Sequence, residues 1–125
     1  MRISLLFLIL FVGASAASAQ VVYHATKSSP RINNSPIKPP FKPLAIKTTV
    51  TIYNNALVVR GDRDLNLKLV RKINVIDKDG SNYTHWNALD SQGEACTIIM
   101  KDYVTYSKIG IFWNKNGAGV VYETL

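Results

Sequence analysis

One cysteine and two histidines stand in 125 residues, and that scarcity removes several chemistries at once. A lone Cys96 cannot form an internal disulfide, so stability must come from a single hydrophobic core. His24 and His85, far apart in the chain, form no zinc-ligand spacing with that one thiol. The chain has no glycine-rich phosphate loop, no nucleophile elbow and no carboxylate pair with a plausible shared pocket. No acid, base and nucleophile can be drawn as a set. The expectation is a non-enzyme with no catalytic residue, no cofactor and no metal.

A second long apolar run is also missing. The only one is in the opening "MRISLLFLILFVGASAASAQ", where Arg2 supplies a basic start and Ala17-Ser18-Ala19 fits the small-x-small cleavage rule. Its apolar stretch is shorter than the ~20 residues that span a bilayer. Residues 1–19 are therefore predicted to be a signal peptide cut near Ala19-Gln20. The mature chain would be secreted or periplasmic, with no membrane span.

Acidic residues are absent from Val21 to Lys47, where Lys27, Arg31, Lys38, Lys42 and Lys47 stand alone. From Thr48 onward nine basic and eight acidic residues nearly cancel. Most of the +7 formal charge thus belongs to the leading segment, which argues against a nucleic-acid-binding fold with Lys and Arg spread over one face. Residues 21–45 also hold all five prolines, two of their spacings being P-x-x-P. Such prolines favour extended polyproline II and forbid a continuous helix. Residues 20–45 read as a basic, proline-rich tail or linker, docked if at all through Ile37, Phe41 and Leu44.

No stretch carries a helical period. From Ile46 on, short runs of Val, Ile, Thr and Tyr alternate with Asn-Asn, Asp-Gly, Gln-Gly and Asn-Gly, the mark of successive hairpins. Residues 46–125 are predicted to be an all-β domain: an antiparallel meander of about seven strands, 46–53, 56–60, 65–77, 81–90, 94–102, 108–114 and 118–124, curled into a small barrel or half-barrel. An Asp79-Gly80 two-residue turn would set Ile73 opposite Trp86 and Val75 opposite Thr84. A three-residue loop ending in Gly93 would set Ala88 opposite Cys96 and Trp86 opposite Ile98. Directly opposed residues share a face. One face then gathers Leu65, Leu67, Leu69, Ile73, Val75, Trp86, Ala88, Cys96, Ile98 and Met100.

That register separates the only pair resembling a nucleophile and its base. Cys96 points to the Trp86 face and His85 to the other, with Asn87, Thr97 and Ile99, although a Cys-His couple needs hydrogen-bond contact. Arg60-Gly61-Asp62 matches an integrin-binding tripeptide and falls on a turn, where it also reads as a plain polar turn. Asp77-Lys78-Asp79-Gly80-Ser81 starts like a calcium loop but has Ala88 where the closing acid belongs. Asn82-Tyr83-Thr84 and Asn33-Asn34-Ser35 match the N-glycosylation pattern, Pro36 weakening the second.

The other face is predicted to be apolar as well: Ile76 opposite Tyr83, with Ile99 and Val70 beside them, and Phe112 opposite Val121 across an Asn116-Gly117 turn. A half-buried meander normally has a polar outer face. The tail, another chain or a ligand would have to cover this one. In "WNALDSQGEACTIIM" and "GIFWNKNGAGVVYETL" the chain resembles small secreted proteins of Bacteroidetes-type bacteria, which pair such a hairpin with a later closing strand. The resemblance spans roughly the last 80 residues. It implies an exported bacterial β-domain and transfers no functional residue. The functional expectation is a non-catalytic module that binds a protein or an anionic envelope polymer, its cationic tail giving salt-sensitive attraction. The alternative is a barrel-type carrier of a small ligand.

Overall fold

The computed structural model of the chain describes residues 20–32, 41–76 and 82–125. The predicted signal segment, Ile37, Lys38, the Asn33 pattern and the predicted Asp79-Gly80 turn lie outside them. The described chain is all β, with eight strands: β1 (Val21–Arg31), β2 (Lys42–Ile52), β3 (Ala56–Arg60), β4 (Leu65–Ile76), β5 (Asn82–Leu89), β6 (Ala95–Asp102), β7 (Ser107–Trp113) and β8 (Gly119–Thr124). Each pairs antiparallel with the next, and β8 returns to β1, so the meander closes into a barrel without an edge.

The expected small barrel is thus formed, with one strand more than the sequence predicts. The additional strand corrects the reading of residues 20–45 as a tail. Val21–Arg31 is β1, hydrogen-bonded on both sides, and β2 starts at Lys42. Lys27, Arg31, Lys42 and Lys47 are consequently held on strands. Proline is tolerated here because Pro30 is the next-to-last residue of β1 and Pro43 the second of β2, where the ladders run out.

Alternation along the strands sends one set of side chains inward. Val50, Leu57, Val59, Leu67, Ile98, Ile109, Ile111, Val120 and Tyr122 are all but completely buried. Each aliphatic among them contributes about 1.5–3 kcal/mol by leaving water. An eight-stranded barrel is just wide enough for such side chains to fill it, or to leave room for one small ligand.

Pairing of β5 with β6 follows the predicted register, with Ala88 opposite Cys96, Trp86 opposite Ile98 and Thr84 opposite Met100. Pairing of β4 with β5 does not. Ile73 faces His85, Val75 faces Tyr83 and Ile76 faces Asn82. The cause is a bulge between Leu69 and Arg71, which leaves Val70 unpaired and 59% exposed. A bulge shifts alternation by one residue. Leu65, Leu67 and Leu69 keep the inward face, but beyond the bulge Lys72 and Asn74 take it, and Ile73 and Val75 turn outward. Between β7 and β8 the register is offset by two: Phe112 faces Gly119 and Gly110 faces Val121. An even offset preserves the face, so Phe112 and Val121 remain together.

Candidate functional site: the open end of the barrel

In a meander alternate turns gather at the same end. Loops 61–64, 90–94 and 114–118 form one end, which is sealed. There the Tyr122 hydroxyl donates to Asp62 Oδ1 at 2.9 Å, and the Asp62 amide donates to Thr48 Oγ1 at 3.1 Å. Gly61 has φ +138°, and a Cβ on it would stand 2.4 Å from the Lys47 carbonyl oxygen, so only glycine fits this turn. Burial and the bond to Asp62 push the Tyr122 phenol far up, keeping it a neutral donor. Alongside, Asp90 accepts from Trp113 Nε1 and from the Gln92 and Glu94 amides, each at 2.9 Å. These bonds, led by that from Trp113, hold the Asp90 carboxyl below the usual range.

The Arg60-Gly61-Asp62 tripeptide is part of this floor. Arg60 donates to the carbonyls of Val59 and Leu65 at 2.8 and 3.2 Å and to Asn66 Oδ1 at 2.7 Å. With Asp62 bound to Tyr122 and Arg60 bound to its own hairpin, both charged groups of the motif already have partners.

At the opposite end the described residues do not fill the interior. A cavity of about 250 Å³ opens between β1, β2, β4, β5 and β6. Tyr23, Tyr53 and Trp86 give it aromatic walls, Val21, Ile52 and Met100 aliphatic ones, and Asn54, Thr84 and Lys72 polar groups. A wider recess of about 440 Å³ shares Thr84 and Met100 with it and extends past Asn74 and Ile76 to Asp102. Lys72 Nζ lies 5.9 Å from the centre of the Trp86 ring, within cation–π range. Partial burial, with the Asp102 charge nearby, raises the Tyr23 phenol above its ordinary value. That carboxylate itself accepts from the Ser107 hydroxyl at 2.5 Å.

Cys96 and His85 lie on opposite faces of the sheet. The thiol is buried in the core and reaches the Glu94 carbonyl at 3.6 Å. Burial, reinforced by Asp90 and Glu94, pushes it up to about 11, so it is protonated at neutral pH and a poor nucleophile. His85 is on the outer face between Ile73 and Ile99. Among the described residues no three His, Cys, Asp or Glu side chains converge as metal ligands.

Four of the five residues read as a second apolar face share the barrel exterior: Tyr83, Ile99, Phe112 and Val121. Ile76 does not, because its partner is Asn82 rather than Tyr83, and it sits at the rim of the open end. Part of the exterior is covered by the chain's own residues. A Cβ on Gly110 would be 2.6 Å from the Phe112 ring, so the ring lies against that glycine. Val121, paired with Gly110, is 8% exposed. The Arg31 guanidinium stands 5.1 Å over Phe112, and Lys108 Nζ is 5.0 Å from the Phe41 ring.

Of the open-end residues the sequence pattern places Trp86 and Met100 on the inner face, and it gives no sign of Tyr23, Tyr53 or Asn54. The one signal that could have revealed Lys72 is the break in alternation after Leu69, where Val70-Arg71-Lys72 interrupts an every-second-residue apolar pattern. Compared with known proteins, the chain matches no family model, no curated protein and no solved structure.

Proposed function

We propose that this protein is an exported, non-catalytic barrel that holds one small molecule in its open end. The observation carrying this reading is the asymmetry of the interior. One half is packed around Leu57, Leu67, Ile98, Ile111 and Tyr122, and the other leaves about 250 Å³ lined by aromatic and a few polar groups. A void of roughly 150 Å³ is already enough for a benzene ring. Binding sites of this kind combine apolar walls with a small number of placed polar groups. Nothing in the walls assembles into a nucleophile with its base, so the reading is capture rather than turnover.

The cationic leading segment loses weight as an independent binding arm, since four of its five charges are on β1 and β2. A small-molecule library screened by amide NMR tests the proposal. Hits should shift resonances of Tyr23, Lys72, Thr84 and Trp86 and leave those of Asp62 and Asp90 in place. Replacing Thr84 with Phe, which fills the opening, should abolish those shifts with the spectrum otherwise retained. Shifts confined to the outer face, or binding unaffected by T84F, would refute it.

A further inference from the structure

We infer that the molecule held in the open end is a small organic acid, its anionic group met by Lys72 and its apolar body laid against Trp86. The inference rests on the reading of that end as the binding site. It is carried by the bulge in β4. Without Val70 as an extra residue, alternation from Leu65, Leu67 and Leu69 would turn Ile73 and Val75 into the opening. With it, Lys72 and Asn74 face inward and the two aliphatic side chains go outside. The chain thus gives up an unbroken apolar strand to put an amine there. Bulges recur beside functional sites because they re-aim side chains.

That amine has no carboxylate as an ion-pair partner among the described residues. Its one ring contact is with Trp86. The other polar groups of the 250 Å³ cavity are uncharged: the Tyr23, Tyr53 and Thr84 hydroxyls and the Asn54 amide. Asp102, in the adjoining recess, is bound to Ser107. The Tyr23 phenol remains protonated and can donate. A single cation amid neutral groups able to donate suits a ligand head rich in acceptors and carrying one negative charge. The Trp86 face, Ile52 and Met100 suit a flat or short aliphatic body.

Calorimetric titration of the full chain with phenylacetate and hexanoate, each beside its amide, tests this at low salt. The acids should bind, with the amides weaker by about tenfold or more, as expected for a charge-assisted contact. Lys72→Met should remove the preference for acid. Lys68→Met, on the outer face of the same strand, should leave it intact. Circular dichroism of both variants should match the parent, since both side chains are exposed. Equal binding of acid and amide, or an acid preference that survives K72M, overturns the anion assignment while leaving the binding site standing. No binding of acid or amide at millimolar concentration overturns the site together with its ligand class.

Discussion

Asp62 and Asp90 both occupy tight turns at the sealed end, and each reaches past its own turn to an aromatic side chain. Asp62 takes the hydroxyl of Tyr122, sixty positions later, and Asp90 takes the indole N–H of Trp113. Such bonds join a turn to the core it closes, which no local turn preference requires. The hydrogen bond of a charged acceptor is worth about 1.5–3 kcal/mol. Asp62 is partly open to solvent, which can replace the lost donor, so Tyr122→Phe should cost about 1–2 kcal/mol in urea unfolding. Gly61→Ala should cost more, because its Cβ collides with the Lys47 carbonyl in a backbone conformation that side chains disfavour. If G61A were as stable as the parent, the floor would not be as tightly specified as this geometry requires.

At the scale of single elements, hairpin β5–β6 shows how a turn sets a register. Asp90 and Glu94 close the loop, with the Asp90 N–H bonded to the Glu94 carbonyl at 2.9 Å and Gly93 at φ +82°. The lowered pKa of Asp90, held down first by the Trp113 hydrogen bond, ties this hairpin to pH. Its ionised form is favoured in the folded state, so its contribution is complete above the unfolded carboxylate value of about 3.9. The contribution disappears as pH falls through the lower folded value. Parent and Asp90→Asn should therefore differ most in urea stability near neutral pH and begin to converge only as pH falls below about 4. A gap that stays constant across that range would contradict the assignment. The same hairpin was legible from its residues because Gly93 leaves only one comfortable loop geometry. Strand β4 was less legible: its bulge is made by Val70, a β-branched residue no different from those of a regular strand. Unbroken alternation would set Ile73, Val75 and Ile76 on the faces opposite to those they occupy, and Lys72 outside.

For the molecule as a whole, closure explains how β1 can be a strand without reading like one. Its residues, "VVYHATKSSPR", include a proline, two basic side chains and two serines, a composition typical of a linker. A strand with hydrogen-bonding partners on both sides needs less propensity of its own, and β1 has β2 and β8. The barrel class, by contrast, was visible in the regular spacing of turns from Ile46 on. Removing residues 21–31 should consequently abolish cooperative thermal unfolding, since it opens the sheet along two ladders and exposes Val50 and Tyr122. A truncated chain that still melts in one sharp transition would show that the barrel does not depend on its first strand.

The seam between β1 and β8 has a bearing on when the chain can fold. The Thr26 hydroxyl meets the Glu123 carbonyl 97 positions further on, and Ala25 pairs with Thr124. While the ribosome is still adding β8, the nascent polypeptide has no closed cylinder to form. Contacts so remote in sequence also assemble slowly. Closure is therefore a late event, open to the chain only once both seam strands have left the ribosome.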